Sequence, residues 1–162
     1  MDTFFFDSSA LVKLHINETG TAWVKNIADP AAANRIYIAR IAGVEVVSAI
    51  TRRKHGGALS ASDAATALAD FRRDFVREYI IIEVDATLIA RSMSLAEANA
   101  LRGYDAVQLA GALEVHDQRL AAGLTPPTLI SADATLNAAA TVEGLAVDDP
   151  NAHQGFGDGE SA

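Results

Sequence analysis

The chain has 162 residues, half of them apolar, and a mean hydropathy of +0.15, enough for one domain with a proper core; this excludes a multidomain assembly and an intrinsically disordered protein. The 13 Lys and Arg against 21 Asp and Glu leave a net charge of −8, which argues against coating nucleic acid by bulk charge, so any nucleic-acid contact has to be local. The lack of cysteine excludes disulfides, thiolate zinc sites and a cysteine nucleophile; a reducing compartment fits and a cytoplasmic location is expected.

In chain order, Thr3 to Phe6 reads as a strand ending at Asp7, and Ser8-Ser9 precede a helical stretch from Ala10 to Leu14. No targeting segment is expected there, because Asp7 cuts the apolar start short and no basic run precedes it. Thr19 to Thr21 opens a second helix that closes at Asp29-Pro30, and Arg35 to Ala39 is a second strand. Arg40 to Lys54 is a mostly apolar helix that stops at His55-Gly56-Gly57. Ser60 to Asp63 starts a helix reaching Tyr79, with Arg72, Arg73 and Arg77 largely outward. A third strand spans Tyr79 to Val84; Asp85 caps a helix to Ala100; Gly103 breaks it; Tyr104 to Arg119 resumes as helix. Thr128 to Ser131 is a fourth strand, Asp133 opens a helix to Thr141, and Leu145 to Val147 is a fifth strand. Strands alternating with helices predict an α/β fold with a mostly parallel central sheet flanked by helices. The domain is expected to span 1–148, with 149–162 as a flexible acidic, glycine-containing tail. Charges interrupt every apolar stretch before the roughly 20 residues of a membrane helix, so no membrane is expected as a partner.

Four carboxylates stand out. Asp7 and Asp133 fall at the carboxyl ends of strands, where open α/β sheets collect ligands, although helix capping alone also accounts for an acid there. Glu45 is the only charge between Ile41 and Thr51, and Asp105 the only one from Tyr104 to Leu113; Asp105 also suits the first turn of a helix, paired with Arg102. A shared divalent cation would relieve the repulsion among the four, and all-oxygen ligands favour Mg²⁺ or Mn²⁺ over zinc. No H-E-x-x-H signature, P-loop, G-x-G-x-x-G fingerprint or nucleophile elbow is present, and Ser9 stands where an aspartyl-phosphate enzyme would carry its second Asp.

Four motifs, F-F-D-S-S-A-L-V-K-L at Phe5 to Leu14, V-E-V-V-S-A at Val44 to Ala49, L-R-G-Y-D-A-V-Q-L-A at Leu101 to Ala110 and L-I-S-A-D-A-T-L at Leu129 to Leu136, resemble in order and spacing the PIN-domain family, in its VapC-like toxin branch. The resemblance runs from Thr3 to Asp148 and implies the family's three-layer fold. By that likeness Asp7, Glu45 and Asp105 match the three core acids and Asp133 the more variable fourth; Ser9 matches the hydroxyl residue that supports the first Asp, and Ser131 a position often held by Ser or Thr. It implies a metal-dependent endoribonuclease that cuts structured RNA and is held inactive by a cognate antitoxin protein. Gly43, unusual on a helix shortly before Glu45, departs from the pattern, and the acidic tail has no counterpart.

On this reading one or two Mg²⁺ or Mn²⁺ ions held by Asp7, Glu45, Asp105 and Asp133 hydrolyse a phosphodiester bond. A basic rim is needed, and Arg52 and Arg53, two turns along the helix from Glu45, are its best candidates among Arg52, Arg53, Lys54, Arg72, Arg73 and Arg77. A homodimer is also expected; the apolar positions of Leu11 to Leu14 and Ala64 to Phe75 suit either a docking groove or the core. The alternative is a catalytically weak or inactive binding module whose acidic pocket docks a basic partner peptide.

Overall fold

The computed structural model describes residues 1–155. Strand β1 (Thr3–Phe6) is a run of β-formers whose pleat sends Phe5 into one half of the core and Phe6 into the other, both fully buried. Each contributes about 1.5–3 kcal/mol by leaving water. Asp7 ends the strand by turning its carboxylate onto the free N–H of Ala10, so helix α1 (Ser8–His15) begins at Ser8, two residues before the apolar run. Helix α2 (Thr21–Ala28) leads to strand β2 (Arg35–Ala39), which pairs parallel with β1.

Helix α3 (Ala42–His55) and helix α4 (Ala61–Arg77, capped by Ser60) follow, then strand β3 (Ile80–Ile82), helix α5 (Ala86–Asn99, capped by Asp85) and helix α6 (Gly103–Ala121). The break between α5 and α6 is made by Ala100, in the left-handed region at φ 51°, and Gly103 is the first residue of α6 rather than the breaker. Strand β4 (Thr128–Ile130), helix α7 (Ala134–Val142, capped by Asp133) and strand β5 (Ala146–Asp148) complete the order. All four strand pairings are parallel, in the order β3-β2-β1-β4-β5. Helices α1 to α4 cover one face of the sheet through Leu11, Val24, Ile50 and Phe71; α5 to α7 cover the other through Leu95, Leu109 and Leu136. The apolar positions of Leu11 to Leu14 and Ala64 to Phe75 are thereby largely used in the core, with Leu11, Val12, Ala64, Ala67 and Phe71 buried.

The domain runs past Asp148. Pro150–Ala152 forms a 3-10 turn capped by Asp149, and His153 stacks on Trp23 of α2 with ring centroids 3.8 Å apart. Gly20 makes room for this strap: it sits at φ 84°, and a Cβ there would lie 2.2 Å from the Pro150 carbonyl oxygen. The first part of the expected tail is thus packed on the body, and 156–162 lies outside the described residues. No helix among the described residues is long and apolar enough to cross a membrane.

His15, at the end of α1, is buried edge-on against Phe71, its Nε2 without a hydrogen-bond partner and 3.9 Å from Asp74 Oδ2. Burial holds its pKa below the usual 6.5, against the pull of Asp74 and Asp70; Arg73 and Lys25 push the same way as burial. The unfolded chain therefore takes up the proton first on acidification, and the stability tied to neutral His15 is lost as pH falls below 6.5. Relative to the parent, His15→Leu should gain in Tm from roughly pH 7 to pH 5, where histidines titrate; a constant difference in thermal melts would contradict this.

Candidate active site at the carboxyl edge of the sheet

β1 lies where the chain leaves to one side for β2 and returns on the other as β4, the position at which open parallel sheets form their ligand crevice. Asp7 occupies that point and is only 3 % exposed. Its backbone N–H donates to the Ile130 carbonyl at 3.2 Å, continuing the β1–β4 ladder. Oδ1 accepts from Ser9 Oγ at 2.6 Å and from the Ala10 N–H at 3.0 Å, and Oδ2 accepts from Ser131 Oγ at 2.8 Å. Both hydroxyls are fixed from behind: Ser9 Oγ accepts the Ala132 N–H at 2.8 Å and Ser131 Oγ the Asp133 N–H at 3.1 Å. Burial pushes the Asp7 carboxyl up to about 6; the hydrogen bonds from Ser9, Ala10 and Ser131 oppose this, and the charge of Glu45 adds to it.

Glu45 stands in the first turn of α3, with Oε2 accepting from Ser8 Oγ at 3.0 Å and Oε1 from Gln108 Nε2 at 2.6 Å. Gly43 belongs to the packing of that turn: a Cβ there would come within 3.1 Å of the Phe75 ring on α4. Asp105, half-buried in the first turn of α6, lies one turn before Gln108, and Asp133 accepts the Leu136 N–H at 2.9 Å as the cap of α7. Burial raises the pKa of Glu45 and of Asp105; Asp105 adds to the first effect and Asp133 to the second, while Arg102 draws Asp105 the other way. The four acids thus form a row, Asp7, Glu45, Asp105 and Asp133, in which each feels the charge of the next.

This donor set suits a hard divalent cation: it consists of carboxylate oxygens, and burial together with the charge of a neighbouring acid raises the pKa values of Asp7, Glu45 and Asp105, which a cation would reverse. Among the described residues, no three acidic or histidine side chains converge closely enough to form a ready ion cage. The fit is one of chemistry and placement, with Asp7 and Glu45 each committed to hydrogen bonds from the chain itself.

A cleft of about 390 Å³ opens beside Glu45, Ser8 and Ser9. Arg52 and Arg53 line it, together with Lys13, Glu18 and Tyr104, which the sequence pattern does not single out. Arg53 is paired: Nη2 donates to Glu18 Oε1 at 2.5 Å and Nη1 to the Ala49 carbonyl at 3.3 Å. Arg52 is exposed and makes no ion pair among the described residues. Lys54, Arg72, Arg73 and Arg77 do not line the cleft, and Arg73 is held by Asp70 and Asp74. Sequence reasoning also misses Ser8 and Gln108 as partners of Glu45. Gln108 does carry a signal, being the lone uncharged polar side chain between Asp105 and Glu114 and a helical turn from Asp105.

A buried carboxyl whose pKa rises from 3.8 to about 6 destabilises the fold as pH climbs through that interval, at a cost of up to roughly 3 kcal/mol. Asp7→Asn, measured in chelator, should therefore keep or raise the Tm near pH 8, and its advantage should shrink toward roughly pH 4 as the parent carboxyl protonates. A lower Tm for the variant at the alkaline end would show that the three hydrogen bonds outweigh the burial of charge.

No family model matches the chain. It is 38% identical over 120 residues to ribonuclease VapC45 of Mycobacterium tuberculosis, covering 74% of this chain and 81% of that one. Among solved structures, PAE2754 from Pyrobaculum aerophilum superposes with a TM-score of 0.59 at 20% identity, over 93% of this chain and 91% of that one. VapBC2 from Rickettsia felis, solved with a DNA fragment from their promoter, gives a TM-score of 0.58 at 14% identity, over 91% and 98%. These two establish the fold, a five-stranded parallel sheet between helical layers. Its topology, the acid row at its carboxyl edge and the close sequence relative agree, and the chain belongs to the VapC ribonuclease family of PIN-domain proteins.

Proposed function

We propose that this protein is the toxin of a toxin–antitoxin pair, an endoribonuclease that hydrolyses phosphodiester bonds in structured RNA with the help of Mg²⁺ or Mn²⁺. The observation that carries the reading is the row of carboxylates from Asp7 to Asp133, whose member Glu45 lines a cleft that also holds Lys13, Arg52 and Arg53. Asp7, Glu45, Asp105 and Asp133 would hold the ion, whose chemistry is to activate water and offset charge on the phosphate. Ser9 and Ser131 orient Asp7, and Ser8 and Gln108 orient Glu45, so that both carboxylates are set before substrate arrives. Arg52 gives the RNA backbone a cation outside the acidic row. The similarity to VapC45 supports the ribonuclease activity.

Asp7→Asn and Asp105→Asn should each abolish Mg²⁺- or Mn²⁺-dependent cleavage of RNA while remaining folded. Full cleavage by both purified variants would remove the proposed site, and an inactive wild-type chain that still binds a basic peptide would favour the docking-module alternative. Arg52→Ala should weaken RNA binding with a salt slope shallower by about 0.7, the value of one single-strand phosphate contact.

The likeness to VapBC2 supports a cognate antitoxin as partner, and the chemistry of the site supports its mode: a guanidinium or ammonium placed among the carboxylates would compete with the cation for the same oxygens. Mn²⁺ titrated into the complex should lower partner affinity, and Asp105→Asn should weaken that affinity without metal. Isothermal titration that finds affinity indifferent to both would place the inhibitor elsewhere. A homodimer belongs to the same reading, and light scattering of the purified chain tests it.

A further inference from the structure

The cleft beside Glu45 holds a charge cluster, Lys13, Glu18 and Arg53, that the proposed chemistry does not use. Lys13 is buried in a place where a lysine is costly, its side chain 6 % exposed, and it is anchored by donating from Nζ to the Thr19 carbonyl at 2.7 Å. Glu18 spans two cations: Oε2 lies 3.5 Å from Lys13 Nζ, and Oε1 accepts from Arg53 Nη2 at 2.5 Å. All three line the cleft beside Glu45.

The loop that carries Glu18 is held in place. Thr21 Oγ1 accepts the Glu18 N–H at 2.9 Å and donates to the Ile16 carbonyl at 3.2 Å. Behind it, Gly20 lies against Pro150, and His153 stacks on Trp23. Arg53 is less constrained, about a third exposed and tied to α3 only through the 3.3 Å hydrogen bond to the Ala49 carbonyl. An ion pair exposed to this degree contributes little to stability, so its partner is exchanged cheaply. A phosphate diester offers the guanidinium the same planar pair of oxygens as a carboxylate.

We propose that Glu18 is a built-in stand-in for a substrate phosphate: in the free protein it occupies Arg53, and on RNA binding Arg53 leaves it for a backbone phosphate while Lys13 keeps Glu18 neutralised. Arg53 lies eight residues beyond Glu45, about 12 Å along the helix at 1.5 Å per residue, so it serves a phosphate flanking the bond to be cut. Glu18 is a positioning residue in this scheme. It keeps Arg53 extended along the cleft wall and away from the acid row, and it makes RNA displace a carboxylate before a phosphate can pair with the guanidinium. The inference rests on the ribonuclease reading for the identity of the ligand.

The test is a double-mutant cycle on the full chain, measured by fluorescence anisotropy with a labelled single-stranded oligoribonucleotide in chelator across a salt series. Glu18→Gln should bind at least about threefold tighter than wild type with an unchanged salt slope, because Arg53 pairs with a phosphate in both complexes and in the variant no longer has to leave a carboxylate to do so. The tighter binding should vanish when Glu18→Gln is made on Arg53→Ala. Unchanged affinity, or the same increase in both backgrounds, overturns the exchange, the second result marking a general loss of negative charge. Should Glu18→Gln fold poorly, the wild-type Arg53 side-chain N–H resonances decide: they shift on saturation with the oligonucleotide if Arg53 changes partner, and unmoved resonances overturn the proposal. These readouts do not need cleavage. A cleaving wild type with an unresponsive Glu18 fails this inference alone, and a chain that exchanges Arg53 but never cleaves fails only the catalytic reading.

Discussion

Asp7 is a buried acid at the end of the central strand, and its satisfaction organises the whole edge of the sheet. Burial alone would make the carboxylate untenable, and three donors offset that cost: Ser9, the Ala10 N–H and Ser131. These donors come from α1 and from the turn after β4, so holding one carboxylate joins segments 124 residues apart. The same contacts start α1, close the β1–β4 crevice and place Asp133 at the head of α7. The site and the fold share one set of hydrogen bonds, and the residual strain is visible in the raised pKa of Asp7.

The electrostatics of the site follow from where each charge sits along its element. The acids sit at helix starts and strand ends, where free N–H groups favour anions; the cations sit on α1 and late in α3, Arg53 in the last turn, where the helix dipole favours them. A chain of net charge −8 thereby gathers a cationic strip, Lys13, Arg52 and Arg53, along one cleft. Part of that strip is matched internally by Glu18, so its attraction for phosphate depends on which partner Arg53 holds.

Much of the fold was legible because local rules and tertiary demands coincide. β-branched and aromatic runs mark β1, β2 and β3, and Asp7, Ser60, Asp85 and Asp133 stand where caps are needed. The exceptions are positions where packing overrode propensity. Ala100 takes the left-handed turn that Gly103 was expected to provide, and the segment after Asp148 packs because Trp23 and Gly20 offer it a surface. Nothing in the local composition of Asn151 to Gly155 encodes that surface.

At the site, the sequence alone determined the acids: a single charge in an apolar helix or at a strand end announces itself, because burying it unpaired is too costly to occur by accident. It also determined the α/β alternation, since period and punctuation are local properties of the chain. Which neutral residues hold those acids was decided by the tertiary structure. Gln108 reaches Glu45 across 63 positions and Ser131 reaches Asp7 across 124, distances over which sequence spacing carries no information. The same is true of the cations. Arg52 and Arg53 are identical side chains next to each other in sequence, yet among the described residues one makes no ion pair and the other faces Glu18, because helical geometry turns successive residues by about 100° and only the folded chain brings a carboxylate to one of them.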